Sequence, residues 1–412
     1  MPQDLRDSLI ESIKTNRPLI YHLTPDSSWL ISLPLPSSSS AADGGVRKCR
    51  YRYNIVIDPW LSGPQIDFFS WFSLQTHASP AAIPNIAALE ELLQAIEKTS
   101  SEHATKDEQS QSQSRGNDFA PSNSFIDALF ISHEFTGTVT RTLPTQTLVY
   151  CIVLTIVDHC HEATLKQCNP RIPVFATTKA ASTIQKWAHF ATVTEIPELP
   201  THHHGADALN VLDVAHVDPL PSWLGVARLV ESHDLSGSKL HSALMLVFDL
   251  QGSSTASGQP SSNLEAIVYT PHGIPAKSAV IDLLAPPQAQ LNPPLSFLAL
   301  LHGLHEVYIG GPQINLGGIN GAALVKKLGC KYWLRTHDEV KKGKGFVGWI
   351  LSRRVVGWGE ALEMRDEVGN GDEKGSSGDG ADGVKLNEVA GGGGKDEVQF
   401  VKIGNGECMV LE

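Results

Sequence analysis

A chain of 412 residues with 41% apolar side chains and a mean hydropathy of −0.10 can bury a sizeable core in one large or two ordinary domains, which excludes a fibrous or wholly disordered class. The net charge is −12, and the stretch 366–396 supplies much of it through eight acids against three bases; the remainder is mildly acidic and lacks the concentrated basic face of a nucleic-acid binder. Six cysteines with no CxxC pair exclude a disulfide framework and a structural zinc knuckle, and point to reduced thiols and a cytoplasmic setting.

MPQDLRDSLIESIKTNRP shows no secretory signal, and residues 18–34 and RYRYNIVIDPWLSG (50–63) predict two strands joined by a long polar hairpin loop. PNIAALEELLQAIE (84–97) carries apolar residues at helical spacing, and a polar low-complexity insertion loop follows at 98–123. A strand opens at Phe125 and runs to Ile131. The apolar run LVYCIVLTIV (148–157) is about half the length of a bilayer-spanning helix, so no transmembrane segment is expected. EATLKQC predicts a helix, RIPVFAT a strand and TKAASTIQKWAHF a helix. HSALMLVFDL and LEAIVYTPHG predict a hairpin around a second polar loop, 252–263. Helix 275–285, strand 304–309, helix 320–328 and strand 330–335 continue the alternation, which implies two mixed sheets covered by helices. The Gly- and Asp-rich tract 366–396 is an expected disordered loop within a domain spanning 1–365, and 397–412 returns to that domain as a final hairpin or strand.

Several predicted strands end on His or Asp: Asp58, His133, His272 and His337-Asp338, with Asp158, His159 and His161 in the element DHCH. Strand ends are where α/β architectures place ligands, and imidazole with carboxylate suits Zn, Mn or Fe. With residues 137–157 set aside, the flanks read IDALFISHEFTDHCHEATL, a strand followed by His-x-x-x-Asp-His and a helix. That junction resembles the metallo-β-lactamase fold superfamily, whose signature is His-x-His-x-Asp-His. The resemblance runs from Trp29 to about Trp358. VIDPWLSG looks like the early strand of the branch that includes ascorbate-phosphate lactonases and the phospholipase D acting on N-acyl phosphatidylethanolamines. YWLRTHDE is similar to the late strand that closes the metal site.

The resemblance implies an α/β fold, an αββα four-layer sandwich, and a metal-dependent hydrolase of an ester, lactone or phosphodiester, with a small-molecule substrate and one or two divalent ions, Zn or else Mn or Fe; the charge distribution argues for no nucleic acid. Matched position by position, His133, Asp158, His159 and His337 are metal ligands. A histidine from the middle of the chain is His216 or His241, with His241 favoured because it opens a strong strand. Asp158 would also serve catalysis, and His272 would be a ligand or a general acid. Two positions depart from the pattern: Phe135 stands where a second histidine is expected, and YTPHG (269–273) stands where a bridging aspartate is usual. The foreign-looking stretch 137–157 is read as a retained intron or an insertion.

Two other classes remain open. A degenerate member would keep the sandwich as a binding or scaffold module, and Cys160, between two histidines, would be the nucleophile of a thiol hydrolase. His202–His204 lie in a Pro/Gly-bounded loop, and His302 and His305 are as readily structural as functional. Asp58 beside Pro59 serves equally as a turn residue or as a brace for a ligand. GPQINLGGINGAA (311–323) reads as a loop-to-helix turn.

Overall fold

The structure, a computed structural model, describes residues 1–36, 50–67, 69–107, 124–133, 135–141, 150–156, 159–201, 208–231, 240–250, 263–286, 291–309, 311–361 and 398–412. Two large sheets dominate. The first runs in the order β10 (Val193–Glu195), β9 (Val174–Ala176), β6 (Ala128–Ile131), β3 (Arg52–Ile57), β2 (Trp29–Pro34), β1 (Leu19–His22), β21 (Cys408–Val410). The second runs β11 (Leu224–Val230), β12 (Ser242–Phe248), β13 (Leu264–Thr270), β14 (Leu295–His302), β17 (Tyr332–Leu334), β20 (Gln399–Val401). Each is mixed: β10, β9, β6 and β3 are mutually parallel, as are β13, β14, β17 and β20, and the other neighbours are antiparallel.

The period-two alternation of these strands sorts side chains into three apolar layers. Ile55, Phe130 and Phe175 of the first sheet meet Leu246, Tyr269 and Leu301 of the second between the sheets. Val56, Leu129 and Val174 face the other way, under α1 (Gln3–Thr15), α2 (Ile86–Asp107), α3 (Glu162–Leu165) and α4 (Thr178–Lys186). Met245, Val268 and Leu300 lie under α5 (Val211–Ala215), α6 (Ala279–Leu284) and α7 (Gly317–Leu328). Helix, sheet, sheet, helix is the αββα order. Both faces of the central strands are buried, which is why they read as continuous apolar runs.

Three smaller sheets flank this body: β16 (Gln313–Leu316), β15 (Glu306–Ile309) and β19 (Leu351–Arg354); β18 (Lys342–Lys344), β5 (Ser73–Thr76) and β4 (Gln65–Asp67), beside α8 (Phe346–Ile350); and β7 (Phe135–Arg141) with β8 (Tyr150–Ile156). The last pair spans most of the foreign-looking stretch. Phe135 pairs with Ile156 and Arg141 with Tyr150, so the two flanks of 137–157 are brought back together at its base.

Two expectations change, one helix was not foreseen, and one open alternative resolves. Residues 18–34 form two strands, because the turn Thr24–Ser28 reverses the chain and lets Leu19 pair with Ser32. The helix expected to stop at 97 continues to Asp107; Glu, Ala and Lys at 98–107 are good helix formers, and the rest of the loop 98–123, like most of 252–263 and 366–396, lies outside the described residues. Residues 3–15 form a helix that polar spacing concealed. Of the two readings of the C-terminal stretch, the returning strand is the one found: β20 extends the second sheet beside β17, and β21 extends the first beside β1.

Candidate metal centre

Strand ends converge on one point. β3 ends at Asp58, β6 runs into Ser132 and His133, β13 into His272, and β17 into His337, while His159 precedes α3. Among the described residues, one ligand atom from each of His159, His272 and His337 lies within 4.8 Å of the others. All three side chains are buried.

Each ring is held from behind. His159 Nδ1–H donates to Asp58 Oδ2 at 2.8 Å, His272 Nδ1–H to Asn315 Oδ1 at 2.8 Å, and His337 Nδ1–H to Asp26 Oδ2 at 3.1 Å. These bonds fix the tautomer that carries its proton on Nδ1 and keeps a lone pair on Nε2. Nε2 of His159 and Nε2 of His272 then face one another at 3.1 Å. Two lone pairs at that distance repel unless a cation lies between them. Two nitrogens bound to one tetrahedral zinc stand about 3.4 Å apart, so the donor set and spacing fit such an ion.

The supports are themselves tied down. Asp58 adopts a left-handed φ of 45° before Pro59, and it accepts from Ser132 N–H at 2.8 Å and Tyr269 O–H at 2.8 Å. It is both turn residue and brace. Burial alone would raise the Asp26 carboxyl, but Lys341 Nζ and the His337 ring hold it well below the usual carboxylate range; Lys341 lies 2.8 Å from it. Asp338 accepts from the N–H groups of Leu304 and His305 and from Arg335 Nε, all at 2.8–2.9 Å, and so holds the neighbouring loop. Gly273, next to His272, has φ +87°, and a Cβ there would meet Leu316 at 2.9 Å, so only glycine suits this turn.

His133 approaches the cluster, its ring centroid 5.1 Å from that of His272 and 5.5 Å from that of His159. Its nitrogens are taken up, however: Nε2–H donates to the Leu240 carbonyl at 2.8 Å, and Nδ1 meets the Ser132 hydroxyl at 2.8 Å. Burial and the neighbouring rings hold its pKa well below the usual histidine value. His241 immediately precedes β12, half-buried, outside the converging group, and His216 Nε2–H donates to Leu220 O at 3.2 Å. His161 caps α3 through Thr164. Asp158 and His202–His204 lie outside the described residues. Cys160 is 2% exposed and packs in the apolar layer beneath the helices, which weighs against the thiol-hydrolase reading. Cys160, Cys168, Cys330 and Cys408 form no disulfide.

A cleft of about 380 Å³ adjoins His337 and Asp26, with Arg335, Lys402 and Asn405 in its walls. At the rim, His77 donates to Glu339 at 2.6 Å; burial would lower His77, but Glu339 and the Trp60 carbonyl raise it above the usual histidine value. Lys341 lies over the Trp60 ring at 5.3 Å.

Asp26, Tyr269 and Asn315 were not singled out in the sequence, although YTPHG, which departs from the resembling pattern, delivers His272. No family model matches this sequence, and no curated protein matches it. Solved structures with a similar chain course include a metallo hydrolase from the hyperthermophilic archaeon Ignicoccus hospitalis (11% identity, TM-score 0.38, 96% of this chain and 99% of that one). Others are an isothiocyanate hydrolase from Delia radicum gut bacteria (12%, 0.43, 96% and 99%) and a metallo-β-lactamase fold protein from Bacillus subtilis (11%, 0.38, 95% and 99%). No described helix is long and apolar enough to cross a membrane.

Proposed function

We propose that this chain is a metal-dependent hydrolase of metallo-β-lactamase type that cleaves an ester, lactone or phosphodiester in a small molecule. The observation that supports this reading is the convergence of His159, His272 and His337, each braced through Nδ1 by an oxygen acceptor. Three neutral imidazoles with an open position suit a single catalytic zinc. When bound, the ion would supply Lewis acidity and an acidified water. Asp58, Asn315 and Asp26 would keep the three rings aimed and electron-rich, and the cleft beside His337 is of the size that encloses small substrates. With its nitrogens bonded to Leu240 O and Ser132, His133 would support the site rather than hold a second ion.

Elemental analysis of purified protein tests this, together with hydrolysis of a chromogenic ester, lactone and phosphodiester panel before and after chelation. The expected result is about one equivalent of Zn, Mn or Fe per chain, lost together with activity in His337→Ala. Less than about a tenth of an equivalent would leave the scaffold reading in its place.

A further inference from the structure

The turn between β4 and β5, together with α8, presents a run of aromatic rings to the outside. Ring centroids step from Phe69 to Trp71 (6.0 Å), Trp71 to Phe72 (6.0 Å), Phe72 to Phe346 (6.3 Å) and Phe346 to Trp349 (6.1 Å). Most of these rings are open: Trp349 is 81% exposed, Trp71 69%, Phe69 62% and Phe346 42%. Ile66, Val340 and Val355 are also exposed. Contiguous apolar surface of this kind marks a place of contact.

The patch is fixed in position. The N–H groups of Phe346 and Val347 donate to the carbonyls of Trp71 and Phe72 at 3.1 and 3.0 Å, and Val347 packs with Leu240, Ile309 and Ile314 beneath. It is also cationic within an acidic chain of net charge −12. Segment 340–355 holds no acid and segment 60–78 one, Asp67; Lys341 pairs with Asp26 and Arg354 with Glu306 and Glu360, which leaves Lys342, Lys344 and Arg353 as the unbalanced charges of this face. Lys342 and Lys344 are exposed on β18.

Tryptophan and phenylalanine beside lysine is the composition that settles into the headgroup region of a bilayer whose surface is anionic. We infer that this face docks the protein peripherally onto anionic phospholipid membranes. Exposed Ile66, Val340 and Val355 gain from contact with acyl chains, whereas they offer nothing to the bases of a nucleic acid. A second copy of the chain, met about a two-fold axis through this face, would bring a second set of exposed lysines into the same interface. The inference holds whichever reaction the three histidines perform.

Flotation of the full-length protein with vesicles of phosphatidylcholine alone, or mixed with phosphatidylserine, tests it. The expected result is partition onto the mixed vesicles that weakens with salt, with a blue shift of tryptophan emission. Trp71→Ala/Trp349→Ala should lower partition at least about tenfold, and Lys342→Gln/Lys344→Gln should lower it by about twentyfold on anionic vesicles. All four positions are exposed, and circular dichroism of each variant checks that the fold is kept. Absence of wild-type flotation on either vesicle overturns the inference. So does self-association, or binding to a single-stranded oligonucleotide, that is abolished by the tryptophan pair while flotation is unchanged.

Discussion

Asp58 receives donors on both carboxylate oxygens, Ser132 N–H on Oδ1 and His159 Nδ1–H with Tyr269 O–H on Oδ2. Asp58→Asn leaves one acceptor oxygen and turns an NH₂ toward a donor, so metal affinity should fall by about 10–100-fold with secondary structure retained. Competition with a chromogenic chelator measures this. His302 supplies a pH-dependent element: burial lowers its pKa to about 4, while Nδ1–H donates to Gly303 O and Nε2 accepts from Asn320. The unfolded chain takes up this proton below about 6.5. The stabilisation is therefore fully present above that pH and is lost as pH falls through about 4, by about 3 kcal/mol in all. Denaturant titration in chelator at pH 7 and at pH 4.5 should show a loss that His302→Asn lacks. His159, His272 and His337 were legible because they close strands or open a helix. Asp26 and Asn315 were not, since each acts through a bond to the back of a ring 311 or 43 residues away, and an Asp in TPDSS or an Asn in QINL carries no local sign of that.

The β7–β8 hairpin explains how a junction can be interrupted and its ends still meet. Among the described residues its strands pair only with one another, and the ladder from Phe135↔Ile156 outward closes the base. A protein lacking residues 137–157 should unfold cooperatively within a few degrees of the full chain and bind as much metal; calorimetry and elemental analysis check both. Failure to fold would make the hairpin part of the sandwich. Element types were mostly legible because apolar alternation and helical spacing differ in period. The partners of a strand were less so: QFV and CMV look like two arms of a hairpin, yet the free edges of β17 and β1 compete for them and win.

At the scale of the whole molecule, the last residues tie the two sheets together. Ile403, after β20, and Leu411, after β21, are 5% and 0% exposed in the layer between the sheets. Leu411 N–H donates to Pro18 O at 2.9 Å, and Arg17 Nε donates to Leu411 O at 2.9 Å. Leu411→Ala should cost about 3 kcal/mol in denaturant unfolding.

Because this clasp follows a glycine-rich tract, a chain severed within that tract should retain its final strands by affinity alone. The severed tail would then exchange with a synthetic peptide added in solution. Since Lys402 and Asn405 wall the cleft beside His337, such a peptide would offer a semisynthetic handle for placing unnatural side chains in the wall of that cleft.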